Sequence, residues 1–251
     1  MSARVSLKQR IDDYIAERHR LGFVMHSRGT LLATFARYVA SQHHRGPLTA
    51  DLMIDWAKQD KWQRGTPATW AARLARIRHF ACYLKQFVPE TEVPDELTFG
   101  PEPGRVAPHV FHDQEVIDLL AATRQIGPTG SIRPATYETL FGLMASVGLR
   151  VSEALHLRDA DVDLKRGMLT IRQTKFAKSR LLPIHPTTVA ALVKYRKARA
   201  RHVATVVDMP FLISSRGRLL GRPLTDRQAH RVFNMLRDHL GWVNRGGHVT
   251  I

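Results

Sequence analysis

Apolar residues recur at helical spacing along most of the chain, and the elements can be read from that rhythm. A first helix is predicted over residues 6–19, and a second over 28–42, where Leu31, Phe35 and Val39 follow at steps of four. A third covers 48–60, with Leu52, Met53, Ile54 and Trp56 apolar. A fourth opens at Thr66-Pro67, a side-chain cap followed by proline where its missing N–H costs nothing. Its stripe is Trp70, Leu74, Ile77, Ala81 and Leu84, while Arg73, Arg76, Arg78 and His79 lie on its other faces. Cys82, on the same predicted helix, sits among apolar residues and is expected to be a buried thiol.

The rhythm then stops. Residues 89–108 hold five prolines and two glycines without helical period, so 88–108 reads as a linker between domains 1–87 and 109–251. Beyond it come a helix over 112–125, around Val116, Leu119 and Leu120, and a longer apolar one over 134–147, carrying Tyr137, Leu140, Phe141 and Met144. Gly148 interrupts, and a short helix follows over 151–157. Residues 168–172 and 179–184 read as two strands joined by a tight basic turn. Pro186 starts a helix to about residue 203. Phe211-Leu212-Ile213 reads as a short strand, and Leu224 to Leu240 as a last amphipathic helix. The expected fold class is mainly α with a small antiparallel β-sheet.

Charge adds the partner. The formal net charge is +16, divided as +5 over residues 1–107 and +11 over 108–251. From Lys165 to Arg201 there are 11 basic residues and no acidic one. Solubility asks for mixed signs rather than a long acid-free stretch, so a polyanion is the expected partner, with nucleic acid foremost. One cysteine cannot make an internal disulfide, and the histidines lack HExxH-type spacing, so no metal site is expected. The N-terminus has no apolar signal region, and no run of about 18 apolar residues exists, so no membrane span is expected. The chain reads as soluble and cytoplasmic.

Three residues carry the candidate chemistry. Arg150 follows a Gly-Leu pair at the elbow between two helices, where its planar fork can meet a phosphate. Glu153, one turn on, can hold and orient that guanidinium. Lys175 lies in the turn of the predicted hairpin, from which it can swing into a site and donate a proton. Lys178 and Arg180 are expected to flank DNA phosphates, and Arg73 and Arg76 are further candidate DNA contacts. Each feature alone has a plainer alternative, a surface Arg–Glu pair or a solvated hairpin tip.

Taken together, GLRVSEALHLRDADVD and TKFAKSRLLPIHP resemble the tyrosine recombinase (phage integrase) family, in order and at its spacing. The resemblance covers most of residues 110–240; the first helical domain is similar, more loosely, to that family's core-binding (SAM-like) module. The stretch LGFVMHSRGTLLATFARYV is similar to recombinases carried by transposons. The resemblance implies that Arg150 grips the scissile phosphate, that Glu153 supports it, and that Lys175 protonates the leaving 5′ oxygen. It implies a tyrosine nucleophile, a 3′-phosphotyrosyl intermediate and no cofactor, because the bond energy stays in the covalent link. It also implies double-stranded DNA clamped between the two domains, and a homo-oligomer on DNA.

One departure qualifies the activity. The family places an H-x-x-R segment and then the tyrosine after the last helix, whereas here GWVNRGGHVTI runs to Ile251. Taking His248 as that histidine puts Ile251 at the arginine position, so the match fails. None of Tyr14, Tyr38, Tyr83, Tyr137 and Tyr195 stands where the nucleophile belongs, and Tyr195 suits packing or a phosphate contact. The catalytic domain is therefore expected to be incomplete at its C-terminus and not to cleave DNA. A non-catalytic DNA-binding regulator is the alternative to a recombinase. An RNA-binding or ribosome-associated protein fits the charge but not the Arg150/Glu153/Lys175 layout.

Overall fold

The computed structural model describes residues 5–59, 65–100, 108–172, 179–206, 208–215 and 217–242. The chain divides into two compact units, Met1–Arg105 and Val106–Ile251.

Four helices build the first unit: α1 (Leu7–Arg20), α2 (His26–Ser41), α3 (Ala50–Lys58) and α4 (Pro67–Lys85). Ser6, Thr49 and Thr66 each accept a hydrogen bond from a backbone N–H of the first turn they precede, at α1, α3 and α4. Phe35, Met53, Trp56, Ile77 and Phe80 interlock as the core. Their transfer from water is the main stabilising term here.

Two expectations change in this unit. Cys82 is exposed, because the buried stripe of α4 turns through Phe80, Ala81, Tyr83 and Leu84 and leaves position 82 facing out. The stretch expected to be a linker from residue 88 is not uniform. Val88, Val93 and Phe99 pack against the helical core, Glu92 accepts from Ala50 N at 2.6 Å, and Arg78 donates to the Pro94 carbonyl at 2.9 Å. Proline removes helical order without removing apolar anchors, and these anchors hold residues 88–100 to the first unit.

The second unit has α5 (Asp113–Thr123), α6 (Arg133–Val147), α7 (Val151–Leu155), α8 (Pro186–Ala200) and α9 (Asp226–His239), with short 3-10 turns at 159–161 and 217–219. A three-stranded antiparallel sheet runs in the order β1 (Val162–Asp163), β2 (Met168–Ile171), β3 (Arg180–Pro183). In β2, Leu169 and Ile171 are buried while Met168 and Thr170 are half-buried, the period of two that a strand covering a core requires. Leu140, Leu143, Phe211, Leu212 and Phe233 fill the centre of that core. The fold is thus mainly helical with a small antiparallel sheet, as the hydrophobic pattern predicts.

The segment Phe211–Ile213 is buried but is not a strand. It contributes only isolated bridges, Arg158 with Pro210 and Ile213 with Pro223. A proline at one end of each bridge withholds the N–H that would extend a ladder. Among the described residues, no helix is long and apolar enough to cross a membrane.

Candidate functional site

The site begins with a glycine. Gly148 ends α6 at φ +68°, a left-handed conformation that glycine adopts without the clash a Cβ brings, and its N–H bonds to the Met144 carbonyl at 3.1 Å. The chain turns, Leu149 goes into the core, and Arg150 stands at the entry to α7. Glu153, at the third position of α7, reaches back to the Arg150 backbone N–H at 3.0 Å. Its other oxygen accepts from Arg150 Nη1 at 2.8 Å.

A third group joins from the sheet. Arg180 faces Ile171 across the β2–β3 pair, and directly paired residues share a face of the sheet. Ile171 faces inward, so Arg180 is directed inward too. Its two terminal nitrogens meet the two oxygens of Glu153, at 3.0 and 2.9 Å. Arg180 is expected from the sequence to flank a DNA phosphate; in the structure its fork lies on a carboxylate, with the side chain 36% exposed.

Glu153 is thus a buried acid with two guanidinium partners. Burial alone would push its carboxyl pKa up from 4.5. The hydrogen bonds from Arg180 and from the backbone and side chain of Arg150, with the charge of Arg180, bring it down to about 2. The Glu153 side chain is 5% exposed and that of Arg150 is 62% exposed. One end of the Arg150 guanidinium is therefore fixed while the rest faces a cleft of about 730 Å³.

His156, Arg158, Arg172, Asp161 and Ser179 also line this cleft. None of them is among the residues expected from the sequence. The signal was present in the quoted segment: Arg158-Asp-Ala-Asp161 repeats the spacing of Arg150-Val-Ser-Glu153. Asp161 accepts from the Arg158 backbone N–H at 3.1 Å and from Arg172 Nε at 2.5 Å. His156 is held by a contact of 2.6 Å between Nδ1 and the Ser152 carbonyl, so Nδ1 carries the proton. The exposed charges of the cleft are cationic, and its two carboxylates are buried beneath them.

Lys175 and Lys178, the other expected residues of the site, lie outside the described residues. Arg73 is not a free cation. Its guanidinium donates to the carbonyls of Gln59 and Trp56 and stacks over the Trp56 ring, which ties α4 to the end of α3. Arg76 is exposed on α4. Tyr195 is 2% exposed; its hydroxyl lies 3.3 Å from Thr136 Oγ1 and accepts from Ile213 N at 3.2 Å. Of the two roles expected for it, it plays packing. Among the described residues, no three metal-ligating side chains gather as they would around an ion.

A buried carboxylate thus steadies an exposed arginine after a glycine elbow, beside the β2–β3 pair. Residues 109–250 match the phage integrase family. The chain belongs to that family, the tyrosine recombinases. The integrase/recombinase y4rB of Sinorhizobium fredii (strain NBRC 101917 / NGR234) is 35% identical over 239 residues, which span 94% of this chain and 74% of that relative. The tyrosine recombinase XerC of Pelobacter propionicus is 27% identical over 208 residues, 80% of this chain and 66% of that protein. Among solved structures, the Tn1549 transposon integrase in complex with transposon right end DNA has a TM-score of 0.61 at 15% identity, over 97% of this chain and 81% of that one. At that identity the likeness speaks for the fold.

Proposed function

We propose that this protein binds duplex DNA through the Arg150 cleft and serves in site-specific recombination. The observation that carries the reading is the bracing of Arg150. A guanidinium fixed at one nitrogen by a buried carboxylate loses little side-chain freedom when the rest of its fork meets a phosphate. In strand cleavage by this family a tyrosine oxygen attacks phosphorus, the 5′ oxygen leaves with a proton, and a 3′-phosphotyrosyl bond keeps the energy of the broken one. Arg150 would neutralise charge on the phosphate as it passes through the pentavalent state, and Glu153 would hold Arg150 in place. Lys175 remains our proposed donor to the leaving oxygen, and Lys178 and Arg76 our proposed backbone contacts.

Residues 1–251 alone are not expected to break DNA. Tyr14, Tyr83, Tyr137 and Tyr195 are buried, Tyr38 is half-buried on α2, and none lines the cleft. Burial pushes the Tyr195 phenol above its ordinary 10, which disfavours the phenolate. Residues 1–251 would then act on DNA by binding, as a homo-oligomer at paired sites or as a non-catalytic regulator. The similarity of residues 21–39, LGFVMHSRGTLLATFARYV, to recombinases carried by transposons supports a mobile-element origin.

A duplex with a nick beside the scissile phosphate tests this, because cleavage there releases a short fragment and traps the covalent protein. No adduct is expected on residues 1–251, with DNA binding retained. A trapped adduct mapped to one of the five tyrosines contradicts the inactive reading. Preference for RNA over duplex DNA in competition contradicts the substrate.

A further inference from the structure

We propose that the cleft holds a second backbone phosphate beside the one at Arg150, and that Arg172, braced by Asp161, is the group that takes it. The inference rests on the reading of the cleft as a DNA site and extends it to residues which that reading leaves unused.

The chain builds the same device twice, its two capping pairs lying within residues 150–161. In the first, Glu153 caps the backbone N–H of Arg150 three residues earlier and holds a guanidinium by one nitrogen. In the second, Asp161 caps the backbone N–H of Arg158 three residues earlier and holds the Arg172 guanidinium by Nε. The carboxylates are equally sheltered, with side chains 5% and 3% exposed, and the arginines equally open, at 62% each. Among the described residues, the two terminal nitrogens of Arg172 have no hydrogen-bond partner. A stability role would be served by burying the pair. An exposed fork on a buried tether instead fits an anion arriving from solvent, and both forks line one cleft.

The occupant follows from the pairing. One free phosphate would need one fork; two forks in one cleft suit a polymer that presents phosphates in series, which is the DNA backbone. The two positions differ in strength. Glu153 faces two guanidinium groups and leaves one positive charge in excess, whereas Asp161 balances Arg172 one to one. The nearby Arg158 is engaged with Asp208 in an exposed pair that solvent screens. Arg172 should therefore contribute less than Arg150 but in the same currency of released counterions.

The test is the salt dependence of affinity for a random-sequence duplex, measured on the full chain for wild type, Arg150→Gln and Arg172→Gln. Each lost phosphate contact lowers the slope of log K against log salt by up to about 0.9. Arg172→Gln is expected to lower the slope measurably and weaken binding roughly 3- to 10-fold at low salt, less than Arg150→Gln. Because that variant strands the Asp161 charge, the double variant Asp161→Asn/Arg172→Gln separates a lost contact from lost packing. Affinity that stays low in the double variant, with melting restored, supports the proposal. Wild-type slope and affinity in Arg172→Gln, or full recovery of affinity in the double variant, overturns it. If Arg150→Gln alone lowers the slope, only the second position fails. If neither does, the reading of the cleft itself fails.

Discussion

Glu153 accepts four hydrogen bonds from two arginines, and its acidity records that environment. The unfolded chain takes up a proton at this carboxyl near pH 4.5, whereas the folded protein does so near 2. The stability that Glu153 contributes is therefore complete above 4.5 and is lost as the pH falls towards 2. The shift corresponds to roughly 3 kcal/mol at most. Urea unfolding at steps from pH 5 to 2 should show wild type losing that much more than Glu153→Gln; parallel curves would contradict the bracing. Half of this arrangement was legible in the sequence. Arg150 and Glu153 are three residues apart, and helical spacing alone brings them together. Arg180 is 27 residues further on, and its turn towards Glu153 depends on strand register, which no local pattern states. The contacts of Arg73 are hidden for the same reason: an arginine on a helix face looks solvated until the neighbouring helix ends beneath it.

At the scale of elements, the elbow between α6 and α7 positions the site. An added Cβ at Gly148 would meet nothing within 4 Å, so Gly148→Ala tests the left-handed backbone alone. A loss of about 1–2 kcal/mol in unfolding free energy is expected. The buried hydroxyl of Tyr195 satisfies the N–H of Ile213, joining α8 to the irregular 209–214 segment. Tyr195→Phe should cost about 1–3 kcal/mol, the penalty of an unmet buried donor, and leave DNA affinity unchanged. Weakened DNA binding in that variant with intact stability would return Tyr195 to the phosphate-contact role. The long helices were legible because their stripes persist for several turns. Phe211–Ile213 was not, since three buried apolar residues look the same in a strand as in an irregular core segment. The two-residue strand β1 is too short to show a period.

The whole molecule has two cores and an excess of positive charge. Composition points to the polyanionic partner proposed above, and the break in rhythm lies near the boundary between the two compact units, but the anchors beyond residue 87 were hidden among prolines. A fragment ending at residue 100 should therefore be more stable than one ending at 87, by roughly 2–4 kcal/mol for the apolar side chains it keeps covered. Equal melting of the two fragments would show that Val88, Val93 and Phe99 add nothing. The charge itself makes any DNA affinity fall with salt, so net charge must be held fixed when one site is tested. Arg124, exposed and paired with Glu138 on the same unit, supplies the control because it does not line the cleft. The most direct measurement is the affinity of Arg150→Gln for duplex DNA against that of Arg124→Gln. A loss of about 10-fold or more is expected for Arg150→Gln alone, with both variants folded. Equal affinities would contradict the claim that the braced arginine holds a DNA phosphate.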